Sequence, residues 1–441
     1  MIRGGIQGGR EGERGVVIIL VAVVLLFIIA AVAALAIDLV TFYTARSEAQ
    51  IAADGAALAG ARVLANSGMT SDPNAVPDGL MGNAEVLARL VATRVASNNQ
   101  VGGKTLNSLG TCTPGAEISI CFPNDSTDPT FVTNPRITVQ VTRNDLPTFF
   151  ARIWGRSAVT VSATATAEAY NPSGMSALGT TIPVAPSCVK PWVLPNMSLN
   201  DLTGATPIFT STGAIQDTAL LGKQDVSGRF RSRCGGCANP AGLAPQVWRF
   251  YPADPSSFPP PNQSLPSCNV SLTPYQNSIA GCVTTPIVCG TTVNLAQSTA
   301  TNLHLQASQA VNCLTHALNN KGDQIDVTLM TSPPFQFLAG DDNPVVSARG
   351  TDVLVSDSLA TVPVYNNTGG APGSNPVTIV GFVQLFLNPD GRSAPPPPGP
   401  GIFPGVNTTV VNLVGCGIGA TGTPILGNGS SAVPVRLVTT P

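Results

Sequence analysis

Five groups of residues have types and spacings that could do chemistry. Cys234-Gly235-Gly236-Cys237 is a CxxC pair, which becomes redox-active when a helix N-terminus lowers a thiol pKa. Asn239-Pro240 follows it without a helical pattern, and no second CxxC supplies the further ligands that zinc requires. A structural disulfide is the expected role, with redox or zinc chemistry as the alternatives. His304 and His316 are the only histidines. They share one expected helix but lie too far apart for an i, i+4 metal pair, and neither H-E-x-x-H nor G-x-S-x-G occurs. Gly103-Lys104-Thr105 echoes the end of a phosphate loop, yet Asn98 stands where its first Gly is needed. Asp341-Asp342-Asn343 and Asp125-Ser126-Thr127-Asp128 offer oxygen ligands without EF-hand spacing, and both read as turns. No catalytic residue, cofactor site, metal ligand or small-molecule substrate is expected, so the chain does not read as an enzyme.

The compartment of these residues is set by one stretch. Val16 to Ile37 is an unbroken apolar run without charge, Gly or Pro, and about 20 helical residues suffice to cross a bilayer core. The expectation is a single transmembrane helix in contact with membrane lipid. Arg3, Arg10 and Arg14 precede it, whereas Arg46 is the only basic residue soon after it. The positive-inside rule then leaves the N-terminus in the cytoplasm and the bulk of the chain outside the cell (inner) membrane. Ala34-Leu35-Ala36 resembles a small-residue cleavage site, but the run is longer than a signal-peptide core, which favours an uncleaved anchor.

An extracytoplasmic location makes disulfides the default for the ten cysteines, Cys112, Cys121, Cys188, Cys234, Cys237, Cys268, Cys282, Cys289, Cys313 and Cys416. Their pairing does not follow from the sequence; Cys112 with Cys121 is the best local choice. A net charge of −2 with 10% charged residues excludes a nucleic-acid-binding surface of the usual basic kind.

The helix is expected to continue past Asp38 to Asn66, because this stretch is Ala-rich and Pro-free and only Gly55 and Gly60 weaken it. Unbroken from Val16, it would be a rod on the order of 75 Å long. Ala45, Ala49, Ala52, Ala56 and Ala59 form a heptad-like seam of small side chains. That seam could pack on the chain's own domain or on a partner helix. Arg46, Gln50 and Asp54 form a separate polar stripe. A second helix is expected over Leu80–Ser97, strands over Glu117–Phe122 and Arg136–Arg143, a short amphipathic helix over Pro147–Gly155, and a long strand over Ala158–Tyr170.

Glu13-Arg14-Gly15, the apolar span, Ala36-Ile37-Asp38 and Gln50-Ile51-Ala52-Ala53-Asp54-Gly55-Ala56-Ala57-Leu58-Ala59 together resemble the N-terminal segment of Tad/Flp pilus-assembly TadE/TadG-like proteins. The resemblance implies a single-pass, envelope-anchored component of a tight-adherence pilus or related secretion apparatus, with other Tad/Flp components as partners. Gly55 stands where the family often has Ala. Leu20 stands where a type IV prepilin cut after Gly15 would carry Glu, so prepilin-type processing is not expected. A von Willebrand A-like domain, known in TadG-type proteins, would need Asp-x-Ser-x-Ser; Asp225-Val226-Ser227-Gly228-Arg229 ends in Arg instead.

The fold expected is α+β: a cytoplasmic tail (1–15), a transmembrane helix (16–37), a Tad-like, pilin-like stalk helix with a small α+β head (38–171), and a Cys-rich, β-rich extracytoplasmic domain (172–441). In that last region the strand candidates are Asp326–Met330, Asp352–Val355, Leu359–Val364, Val377–Leu387, Thr408–Val414 and Val433–Val438, with one helix over Thr299–Asn319 and a polyproline loop near Ala394–Pro404. The expected role is structural, in pilus assembly. The alternative is a membrane-tethered binding or adhesion module without a pilus. Asp38 and Asp54 are the residues expected to matter most; an aspartate at a membrane exit can pair with a basic group of a neighbouring helix, the alternative being a solvated interfacial acid.

Overall fold

The computed structural model describes residues 11–71, 79–113, 115–123, 134–173, 182–198, 206–221, 226–230, 248–259, 272–296, 302–316, 322–326, 334–366, 375–387, 405–417, 423–427 and 431–438. Helix α1 runs unbroken over Glu11–Ala65, 55 residues, or about 80 Å at 1.5 Å per residue. Its expected continuation past Asp38 is therefore present. Helix α2 spans Leu80–Asn98.

The chain forms two compact units. One comprises Met1–Gly55, Thr93–Ile120 and Val139–Ala165; the other comprises Ala56–Ala92, Cys121–Thr138 and Thr166–Pro441. The segment 38–171, expected as a stalk and head, thus contributes to both. A five-stranded sheet contains β1 (Leu109–Thr111), β2 (Ile118–Cys121), β3 (Arg136–Pro147) and β4 (Ala158–Ala169). In β3, Ile137, Val139 and Val141 are buried, as strand alternation requires.

Within the first unit, β1 and β2 pair in parallel, with Gly110 opposite Ser119. Gln100–Val101 and Lys104–Thr105 form a hairpin. Its two connecting residues, Gly102 and Gly103, both have positive φ (57° and 80°), the backbone that a two-residue type I′ turn demands and glycine adopts most readily. The Gly-Lys-Thr sequence is thus a hairpin turn. Pro147 ends β3, and the helix expected over Pro147–Gly155 is a single 3-10 turn, Ala151–Trp154, closed by Gly155 in the left-handed conformation.

The second unit is built on strands β5 (Trp192–Pro195), β6 (Val226–Phe230), β7 (Trp248–Pro252), β8 (Leu359–Tyr365), β9 (Val377–Leu387) and β10 (Gly405–Gly415). Pairing runs β9-β8-β5-β7-β6-β10, and β10 pairs back to β9. The six strands therefore close into a barrel with no free edge. The β8–β5 and β7–β6 pairs are parallel and the others antiparallel. Ala360, Val362 and Val364 of β8, Val383, Leu385 and Leu387 of β9, and Val410 and Leu413 of β10 lie in one core with Trp192 and Phe250. Helices α3 (Pro274–Ala280) and α4 (Leu303–Leu314) contribute Tyr275, Ile279, Ala307 and Val311 to the same core.

Helix α3 was not expected, although Thr273-Pro274-Tyr275-Gln276 carries its start signal. Thr273 and Gln276 form a reciprocal capping box, with Pro at the first turn. Helix α4 is shorter than the expected Thr299–Asn319. Asn302 before it is left-handed and Thr315 closes it, while 297–301 and 317–320 lie outside the described residues. Strand Gln324–Asp326 only touches the expected Asp326–Met330, whose residues 327–330 also lie outside them. A strand at Val435–Val438, here β11, pairs antiparallel with Thr166–Ala169 of β4.

Cys188–Cys282 and Cys289–Cys416 are disulfide-bonded, and Cys112, Cys121 and Cys313 are also in disulfides. Among the described residues no cysteine is free.

Candidate functional site

Along α1, Val16 to Ile29 and most residues to Val40 are exposed, so the apolar span faces outward. This is one helix long and apolar enough to cross a membrane. The opposite face turns inward at Ala34, Asp38, Ala45, Ala49, Ala52 and Ala53. Helical spacing of 3, 4 and 7 puts these residues on one side. Thr41 and Thr44, just past the span, donate their hydroxyls to the carbonyls of Ile37 and Val40, both at 3.0 Å, which satisfies them without water.

Asp38 is 1% exposed. Its carboxylate accepts N–H bonds from Phe149 (2.9 Å), Phe150 (3.0 Å) and Ala151 (2.7 Å). These amides open the 3-10 turn and have no partner within it, so the carboxylate caps the turn from a different element. Asp38 faces its own chain, where pairing with a neighbouring helix was expected. Ala45, Ala49, Ala52 and Ala56 are likewise buried by their own chain, and Ala59 is partly so. The seam's small side chains are covered, and the large apolar side chains that α1 presents outward past the span are Leu39, Val40, Tyr43 and Ile51. Gln50 donates to Asp54 at 2.7 Å on that outer side.

A polar lattice ties α1 to the hairpin and β3. Glu48 accepts the Gly102 N–H at 2.5 Å. Arg143, buried, donates to the carbonyls of Val101 and Gly102 and pairs with Asp145 at 3.3 Å. Lys104 Nζ lies 2.7 Å from Glu117 and 3.1 Å from Asp145. Glu117 also accepts the N–H groups of Asn107 and Ser108. The Lys104 ammonium foremost, and then these amides, hold the Glu117 carboxyl at about 2. Its two carboxylate partners push Lys104 above its ordinary value.

In the second unit, the end of α1 is stitched to the outside of the barrel. Asn412 of β10 donates to the Ala65 carbonyl (2.5 Å) and to Gln384 of β9 (2.6 Å). Gln384 donates to Asn66 (3.4 Å), and Ser71 and Asn171 both bond the Leu413 carbonyl. Gly60 sits where α1 runs against α2 and β3: a Cβ there would overlap Ile137 Cδ1 and crowd Ala92. Its presence is a packing requirement. Glu168, 3% exposed in its side chain, pairs with Arg136 (3.2 Å) and Arg436 (2.6 Å).

The residues first singled out for chemistry do not assemble. Cys234, Cys237, Cys268 and Asp225 lie outside the described residues, as does Asp125 to Asp128. His316 pairs with Asp357 at 3.0 Å, while His304 lies on α4. Asn343 donates to the buried Asp323 at 2.8 Å, so that turn is a structural knot. Among the described residues no group of three His, Cys, Asp or Glu could hold a metal ion.

What remains is an outward apolar helix locked at Asp38 to the 3-10 turn Ala151–Trp154. Residues 15–63 match the family model described as Flp pilus-assembly TadE/G-like, and residues 44–167 match the one described as Tad-like Flp pilus-assembly. Residues 15–167 carry the Tad/Flp pilus-assembly signature. Comparisons with curated proteins and with solved structures found no match. The Tad segments thus take in the span, the Asp38 lock, the Gly102-Gly103 hairpin and β1 to β3, and reach Ala167 in β4.

Proposed function

We propose that the chain is a membrane-anchored structural component of a Flp/Tad-type pilus assembly or related secretion apparatus, and that its role is mechanical. The observation that carries this reading is the coincidence of the Tad matches at 15–167 with a single helix, Glu11–Ala65, whose first half is outward-facing and apolar. In this reading Val16–Ile37 holds the protein in the inner membrane with its N-terminus cytoplasmic. The barrel unit and its disulfides stand in the oxidising extracytoplasmic space. Gln50 and Asp54, with exposed Tyr43 and Ile51, offer the face of α1 for other Tad/Flp components. Asp38 and the Ala seam serve the same assembly indirectly, by keeping the helix and head in one geometry.

In-cell crosslinking followed by purification of the full-length protein tests the reading. Recovery of pilin, secretion ATPase or secretin components, and loss of surface pili on gene deletion, are expected. Intact piliation after deletion, with recovery of non-pilus surface molecules only, would favour a tethered adhesion module instead.

A further inference from the structure

We infer that the turn Thr148–Gly155 is a membrane-surface contact, a collar that rests in the lipid headgroup region beside the exit of α1. The inference builds on the anchor reading above and adds a second lipid-binding element to it.

Continuity of the apolar belt is the first support. Outward-facing apolar residues do not stop at Ile37 but continue through Leu39, Val40 and Tyr43, which are 51%, 65% and 67% exposed. Asp38 therefore lies inside the belt, not above it. A bare carboxylate at that level would be costly. It is instead buried, with three N–H bonds from Phe149, Phe150 and Ala151. Those bonds hold the turn at the height of Asp38. Any bilayer that covers Leu39 and Val40 reaches the turn as well.

The chemistry of the turn is the second support. Phe149 points its ring outward and is 62% exposed. Arg152 and Arg156 are exposed a few residues on. An apolar side chain beside two cations suits the boundary between acyl chains and anionic headgroups. The turn is also rigid enough to act as a fixed collar. Thr148 donates its hydroxyl to the Arg156 carbonyl, Arg156 N–H bonds the Ala151 carbonyl (3.2 Å), and Gly155 N–H bonds the Arg152 carbonyl (2.9 Å).

A photoreactive benzophenone side chain placed singly at positions 27, 51 and 149 of the full-length protein, reconstituted in lipid nanodiscs, tests the assignment. Position 51 lies about 20 Å farther along α1 than Asp38. Lipid adducts are expected at 27 and 149 and not at 51. Adducts at 27 without any at 149 would overturn the collar while leaving the anchor intact. No adduct at 27 would overturn the anchor itself. Adducts at all three would overturn the collar in favour of a helix lying along the bilayer. Changing the nanodisc lipid from phosphatidylcholine to a phosphatidylglycerol mixture is expected to raise the yield at 149 severalfold. Arg152→Glu with Arg156→Glu should cancel that rise, and a yield indifferent to both changes would refute the anionic preference.

Discussion

Ala151 donates its backbone N–H to Asp38 at 2.7 Å across 113 positions of sequence. With the Phe149 and Phe150 amides, this single side chain ties the end of the apolar stretch of α1 to the 3-10 turn Ala151–Trp154. Asp38→Ala removes the acceptor of all three. The amides of Phe150 and Ala151 should then exchange with solvent about tenfold faster or more, read by hydrogen exchange on the detergent-solubilised protein. Asp38→Asn, which keeps one acceptor oxygen, should lie between. Unchanged protection in Asp38→Ala would show that the turn holds itself.

Gly60 is the second test of how α1 is held. Gly60→Val places a side chain against Ile137 and Ala92, and overpacking of this kind costs about 1–3 kcal/mol. A lower denaturant midpoint is expected. Gly55 has only Val95 Cγ1, at 3.7 Å, near its missing Cβ. Gly55→Ala should be neutral or slightly stabilising, since Ala favours the helix.

Acid should loosen the hairpin lattice. Glu117 has its carboxyl lowered from 4.5 to about 2 in the folded chain. Its stabilisation is therefore complete above pH 4.5 and is lost as pH falls towards 2. Thermal unfolding in that window should shift downward with acid, and Glu117→Gln should flatten the shift. Asp145, lowered chiefly by Lys104, adds to the same trend.

Alkali should act in the opposite sense on the second unit. Lys190 is buried with its ammonium on the carbonyls of Ile279 (2.7 Å) and Gly281 (3.0 Å), at the end of α3. Burial pulls its pKa down from 10.5 to about 8. Between those values the unfolded chain binds the proton more strongly than the folded one. Stability should therefore rise from pH 8 to 10.5. Denaturation at pH 7.5 and 9.5 should show the rise, and Lys190→Met should abolish it.

The disulfides Cys188–Cys282 and Cys289–Cys416 close intervals of 94 and 127 residues. Loops of this length correspond to about 4–5 kcal/mol each in the chain-entropy model. Cys188→Ser with Cys282→Ser should accordingly lower the midpoint far more than Gly60→Val does.

Helix α1 is legible because its signals are local: an apolar run, an Ala-rich continuation and no Pro. The strands at 136–147, 158–169, 359–365 and 377–387 are legible from alternation or dense β-branched content. Barrel closure is not legible, because it depends on β10 pairing with both β6 and β9, a matter of three-dimensional register. The partner of Asp38 is equally hidden. An aspartate at a helix exit shows that a charge must be satisfied there, but backbone amides more than a hundred residues away carry no side-chain signature. Gly60 reads in sequence as a weak point in the helix and in space leaves room for Ile137 and Ala92. The capping box of α3 was readable in Thr273 and Gln276.

The pairing of β11 with β4, sealed by Arg436 on Glu168 at a separation of 268 residues, has a consequence for the order in which the chain folds. During synthesis from the N-terminus, the Thr166–Ala169 edge is made long before its partner strand. Until Val435–Val438 is made, that edge stands open to any extended chain nearby, and Glu168 has Arg136 but lacks the second of its two arginines. Such long-range closure is slow and prone to mispairing. The sheet of the Tad-matching segment therefore gains its last strand only after the barrel strands have been made, so the two ends of the chain finish folding together.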